Sequence, residues 1–191
     1  STVKSGNPCI LDNQISWKTQ VDHVCSRLNK VCFAFRCLRK VLDHKSMLNV
    51  YYGIAQSIFS YNILTWGSNA GLNRIILIQK RLLRIIFNLK FRQSVRNIFV
   101  QHDILTVYGL FVYKSACYYR KFPNLFIHND DLHNYNTRNK HDVHVRNYKS
   151  TKYFNSPVCM VNRVVNKLLV DIFSILNFQR FQSVLIKYFR N

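Results

Sequence analysis

Asp130 and Asp131, in the stretch FIHNDDLHNY, are the only adjacent acids in the chain. Neighbouring carboxylates are what metal-assisted phosphoryl transfer requires, because they converge on Mg²⁺. In that use the pair sits at a tight turn between two apolar strands. Here His128, Asn129, His133 and Asn134 surround it, and the segment reads as a polar loop. His133, His141 and His144 follow close by, but a zinc-type site wants a compact set, usually with cysteine at short spacing. No CxxC pair exists, and the nearest cysteines are Cys117 and Cys159. These histidines are expected to be solvated. No sharp glycine turn surrounds a serine, and five glycines do not make a phosphate-cradling loop. No catalytic residue and no metal ligand is expected.

Binding chemistry is better represented. Phosphate contacts need Lys and Arg on a surface, with amides and hydroxyls between them. Gln79-Lys80-Arg81-Leu82-Leu83-Arg84 supplies these on a helix, and Arg138 and Lys140, in Asn136-Thr137-Arg138-Asn139-Lys140, on a loop. On a wheel of about 100° per residue, Leu72, Ile75, Ile76, Gln79, Leu82, Leu83, Ile86 and Phe87 share one face. Arg74, Lys80, Arg81 and Arg84 fall within an arc of roughly 120° opposite. No acid lies between Asp43 and Asp103, so nothing nearby in sequence neutralises them. Aromatic residues interleave with the bases and offer faces for stacking on sugars or unpaired bases. No motif that reads DNA sequence is present.

These groups must be positioned by helices. Ser16 is a plausible cap for a helix to about Leu42, with Val21, Val24, Cys25, Leu28, Val31, Cys32, Phe35, Leu38 and Leu42 at 3–4 spacing. Arg27, Lys30, Arg36, Arg39 and Lys40 decorate its other side. Asp43 can cap a second helix, about 44–64, whose apolar side is Leu48, Tyr51, Tyr52, Ala55, Ile58 and Phe59. Almost free of charge, it is expected to be the most buried. Trp66-Gly67-Ser68-Asn69 breaks the chain before the basic helix, about 72–88. A short helix follows at about 94–99 and a longer, aromatic-rich one at about 105–122, stopped by Pro123. Periodicity then lapses over about 126–158, a long polar connection. Helices at about 160–175 and 179–189 close the chain, the last with Phe181, Val184, Leu185 and Tyr188 inward. The fold class is mainly α: an antiparallel, thumb-like helical bundle over residues 14–90, then a smaller helical part over 91–191 carrying the polar loop.

The chain's 191 residues hold 28 Lys and Arg against eight acids, a net charge of +20. All eight acids are Asp. Both halves carry +10: 13 bases less 3 acids over residues 1–90, and 15 less 5 over 91–191. A basic body rather than a basic tail points to a polyanion, most often nucleic acid, with an anionic membrane surface as the rival. No apolar run approaches the ~20 residues that span a bilayer, and no signal peptide is visible. The six cysteines lack a disulfide-like spacing and read as reduced, mostly buried thiols of an intracellular protein, in nucleus or cytoplasm.

An ordered set of residues resembles the region just after the polymerase palm in jockey-like non-LTR retrotransposon reverse transcriptases. Ile10-Leu11-Asp12-Asn13-Gln14-Ile15-Ser16-Trp17-Lys18 is similar to the LDxxLSW segment that leads into the family's thumb. The helix from Val21 to Leu38, with Arg39 and Lys40, is similar to its first thumb helix. Tyr51-Tyr52, then Tyr61 and Trp66-Gly67, resemble its YY…YGIxxWG pattern, with Asn62 standing where the family has Gly. Gln79 to Ile86 resembles its LQKRxxRII helix. His133 to Arg138 is similar to its HxYxTR segment, and Phe181, Leu185 and Tyr188 to its terminal helix. Where the family has Pro after N-x-L, this chain reads Asn166-Lys167-Leu168-Leu169.

The resemblance implies that residues 1–13 end a palm-like region and that the bundle packs on primer–template duplex, RNA–DNA or RNA. It implies RNA-directed DNA polymerisation by a parent whose palm and fingers hold the Mg²⁺ and catalytic aspartates. The chain itself is expected to be a non-catalytic fragment without a cofactor of its own. The other reading is a basic structural or interaction module for RNA, a protein partner or an anionic membrane surface.

Overall fold

The computed structural model describes residues 17–135, 138–146, 149, 153, 156–168, 170–175 and 177–188. Ser16 and the 1–13 segment lie outside them, as do Asn136 and Thr137. The described residues are mainly helical, with one isolated antiparallel bridge between His128 and Val143. The chain divides into two units, Ser1–Val95 and Arg96–Asn191.

The first unit is an up-down-up arrangement. α1 (Lys18–Leu38) buries Val21, Val24, Cys25, Leu28, Cys32 and Phe35, the residues whose 3–4 spacing marks its apolar face. It stops at Leu38, and the chain turns through Arg39–Leu42. Asp43 then caps α2 (His44–Val50), its Oδ1 accepting from the Ser46 amide at 3.3 Å. The same path continues through a π-helical segment, Tyr51–Gln56, into α3 (Ser57–Ser60). Met47, Tyr51, Ala55, Ile58 and Phe59 are its buried side, while Tyr52 and Ile54 are exposed.

The most buried element is therefore not this middle one but α5 (Leu72–Ile86), nine of whose fifteen residues are buried. Lack of charge had pointed to the wrong helix. The glycine, serine and tyrosine of the middle helix tolerate water, whereas α5 is wedged between α1 and α2.

The corner between them is built from Tyr61 to Gly71. Asn62 takes a left-handed conformation, φ 49°, which breaks the second helix four residues before its expected end. α4 (Ile63–Trp66) follows. Trp66 is fully buried, its Nε1 donating to the Tyr61 carbonyl at 3.1 Å. Gly67 is buried and donates to the Ile63 carbonyl at 2.7 Å, with an ordinary φ of −69°. The glycine that the packing requires is Gly71, where an added Cβ would lie 2.9 Å from Val21 Cγ1. α1 and α5 approach each other closely there.

The second unit contains α6 (Arg96–Gln101), α7 (Val107–Lys121), a 3-10 turn (Pro123–Leu125), α8 (Asn129–Leu132), α9 (Pro157–Asn166), α10 (Val170–Phe173) and α11 (Phe178–Tyr188). Thr106 and Ser156 cap α7 and α9. Ala116, Leu168, Ile172, Phe181 and Leu185 form a shared core. Tyr188, expected inward, is exposed and Val184 only half-buried. The expected 160–175 helix is interrupted between Asn166 and Val170.

Candidate nucleic-acid interface

α1 and α5 lie side by side and run parallel, as the first and third members of an up-down-up bundle must. Two contacts record the register. Arg74 pairs with Asp22, and seven residues further along both helices Arg81 Nη1 donates to Asn29 Oδ1 at 3.2 Å. Seven residues are about two turns, so the C-terminal ends of both helices arrive together.

At that end the arginines converge. Arg36 and Arg39 come from the end of α1, Arg81 and Arg84 from α5, and Arg92 from the turn beyond it. They line an open groove of about 570 Å³ with no carboxylate among the residues that form it. Leu77, Ile85, Leu89 and Phe91 supply its apolar part. Leu77 is 61% exposed and Phe91 82%.

Local folding explains the placement. α5 ends in a Schellman motif: Leu89 donates to the Arg84 carbonyl at 2.9 Å and Asn88 to that of Ile85 at 3.4 Å. This needs a left-handed residue between, and Asn88 has φ 54°. The chain reverses there. Gln93 pins the returning turn, accepting at its carbonyl from Arg84 Nε at 3.0 Å and at Oε1 from the Lys90 amide at 3.3 Å. Phe91 and Arg92 are held between these anchors. The guanidiniums also sit where helix C-termini expose carbonyl oxygens, a position that favours cations.

Residues expected to bind divide clearly. Arg81 and Arg84 line the groove. Arg74 is tied to Asp22, an acid 52 residues away in sequence that only the fold brings beside it. Lys80 is half-buried, while Arg27 (half-buried) and Lys30 (exposed) stand on α1; none of the three lines the groove. Gln79 does not belong to the basic surface at all. It is fully buried and its Nε2 donates to Tyr51 Oη at 2.8 Å, because its place on the helix is the apolar face. Arg138 is exposed and Lys140 half-buried in the second unit. Trp17 is half-buried at the start of α1, with φ 57°. Tyr61 is 41% exposed.

Sequence reasoning missed Phe91 and Arg92 and left Arg36 and Arg39 as surface decoration. The spacing of Asp22, Asn29 and Arg36 against Arg74, Arg81 and Asn88 holds the signal for Arg36. It becomes readable only once α1 and α5 are known to be parallel.

Nucleophilic chemistry is not built into this groove. Cys32 lies under it on α1, and burial pushes its thiol pKa up against the opposing pull of Arg81 and Arg36. It is a packed neutral thiol. The described cysteines are free thiols, of which Cys37 is exposed.

Asp130, Asp131, His128, His141 and His144 of the second unit are engaged in structural bonds, whereas His133 Nδ1 is buried without a hydrogen-bond partner among the described residues. Asp131 Oδ2 accepts from the His128 amide at 3.0 Å, capping α8. Asp130 meets His141 at 3.3 Å. His128 stands between Tyr119 Oη, at 3.1 Å, and the His141 carbonyl, at 3.0 Å. The backbone of 127–130 pairs with that of 140–144. Asn166 clamps Val143 through both its amide and its carbonyl, each at 2.9 Å. The polar connection is, over its described part, held by hydrogen bonds. Among the described residues no three His, Cys, Asp or Glu side chains are grouped to hold a metal ion. No described helix is long and apolar enough to cross a membrane.

No family model, no curated protein and no solved structure matches this chain.

The groove's chemistry therefore speaks for itself. Five guanidiniums present planar, permanently charged donor forks suited to phosphate oxygens. With no acid in the lining, an incoming anion meets unopposed positive potential.

Proposed function

We propose that the first unit grips nucleic acid by sequence-independent phosphate contacts. In this reading it is the thumb-like part of a reverse transcriptase resembling those of jockey-like non-LTR retrotransposons. Primer–template duplex, RNA–DNA or RNA, is the expected substrate. Polymerisation would belong to a palm and fingers elsewhere, where Mg²⁺ would be held. The observation that carries the reading is the groove between the C-terminal ends of α1 and α5, with five arginines and no carboxylate. The net charge of +20 supports it at the scale of the chain.

The test is the salt dependence of duplex binding. Each phosphate contact releases counterions, so log K falls linearly with log salt by about 0.9 per contact on duplex. Arg36→Ala, Arg39→Ala and Arg81→Ala together should flatten the slope by about two to three. Arg84 is left in place because it holds Gln93. A slope equal to that of the unaltered chain would remove this groove from consideration.

A second reading, an interaction module for an anionic protein or membrane surface, is favoured by the exposed Leu77 and Phe91. Tighter binding to anionic vesicles than to duplex RNA at equal salt would select it.

A further inference from the structure

Arginines alone explain a grip on duplex, whose outer surface is phosphate and sugar. They do not explain the apolar part of the groove. Phe91 and Leu77 stand largely in water beside five guanidiniums, with Ile85 and Leu89 in the same lining. A duplex backbone would leave that surface wet, because its bases are stacked inside. An unpaired strand offers both chemistries at once: phosphates for the arginines, and base faces for an aromatic ring.

We propose that this groove takes an unpaired nucleic-acid strand, with one base stacked on Phe91 and the flanking phosphates on Arg81, Arg92 and Arg39. The proposal rests on the nucleic-acid reading above and adds an unpaired strand to the duplex that the same arginines would grip. Charge complementarity selects a polyanion, and the apolar lining selects one with exposed aromatic faces. The size is suitable: about 570 Å³ falls in the range of about 300–1,000 Å³ typical of small-ligand pockets, room for one or two nucleotides. The turn that carries the ring is also fixed. Gln93 is bonded both to Lys90 (its amide to the Lys90 carbonyl at 3.0 Å) and to Arg84, which fixes the turn on either side of Phe91.

The experiment uses the full chain and fluorescence anisotropy with two labelled probes, a 12-nucleotide oligo-uridine and a 12-base-pair blunt RNA duplex. Phe91→Ala should weaken the single strand by about 5- to 100-fold and the duplex by no more than about twofold. Phe91→Trp should retain single-strand binding. Because Phe91 is exposed, an unchanged melting temperature will show that both variants fold. Equal losses on both probes, or a loss on neither, would overturn the stacking proposal. The Arg36, Arg39 and Arg81 triple alanine variant separates the two levels. If it weakens neither probe, the nucleic-acid reading itself fails. If it weakens both while Phe91→Ala weakens neither, only the stacked strand is lost. Displacement of oligo-uridine by phosphatidylserine vesicles, with Phe91→Ala affecting vesicles more than strand, would overturn the proposal in favour of a lipid surface.

Discussion

Tyr51 shows how one side chain ties stability to pH. It is fully buried, and burial raises its phenol well above the ordinary 10.0, against the pull of the Gln79 bond. A phenol raised on folding contributes stability fully present below pH 10 and lost as pH rises through the folded value. Unfolding should therefore become steeply easier above pH 10. Both tryptophans, Trp17 and Trp66, lie in the first unit, so their fluorescence reports that unit in urea titrations between pH 8 and 11. Tyr51→Phe should cost about 1–2 kcal/mol at pH 8, from the lost bond to Gln79, and should make the alkaline decline shallower. An equal decline in variant and parent would show that Tyr51 is not its source.

Asn62 makes a complementary point about backbone. Its φ of 49° is the left-handed region, which glycine enters freely and asparagine tolerates. Gly, the residue expected at this place from the family pattern, and Asn are both admitted by this conformation. Asn62→Gly should leave the melting temperature nearly unchanged, whereas Asn62→Ala should lose about 1 kcal/mol. Equal effects of the two would exclude backbone conformation as the constraint. Asn62 was visible in the sequence as a departure; Gly71 was not. Its need for a bare Cα comes from Val21, 50 positions earlier, and only the packed structure brings them together.

At the scale of elements, the helices legible in advance were above all α5, whose apolar residues recur strictly, and α7, aromatic-rich and stopped by Pro123. Their ends were less legible. α1 stops four residues early and the middle helix breaks at Asn62, because ends are set by single conformations rather than by periodicity. The candidate groove was half legible. Arg81 and Arg84 follow from the wheel of α5 alone. Arg36, Arg39, Phe91 and Arg92 depend on which helix lies beside it and on how the Schellman turn at Asn88 redirects the chain.

The polar connection, expected as a long loop without periodicity, is over its described part more ordered than its composition shows. Its order comes from side chains such as Asn166, 23 residues from its partner Val143, and no period records that. Asn166→Ala removes both bonds to a buried backbone segment and should cost about 2 kcal/mol. In hydrogen exchange the Val143 amide should lose protection while that of Val161, inside α9, keeps it. Unchanged protection at Val143 would mean that other contacts hold this segment.

Taken whole, the molecule is basic in both halves, yet its cations are not equivalent. Arg120 donates to the carbonyls of Phe173 and Ile175 and lies 4.7 Å from the centre of the Phe181 ring. It serves the fold of the second unit. Arg74 is held by Asp22. The arginines of the groove, by contrast, line it with no acid among them, so an anion entering it meets positive potential. The proposed anion is the phosphate of nucleic acid. Duplex binding measured across a salt series, for the parent chain and the Arg36, Arg39 and Arg81 triple alanine variant, tests this most directly. The slope of log K on log salt should be shallower by about two to three in the variant; parallel lines would show that phosphates do not occupy the groove.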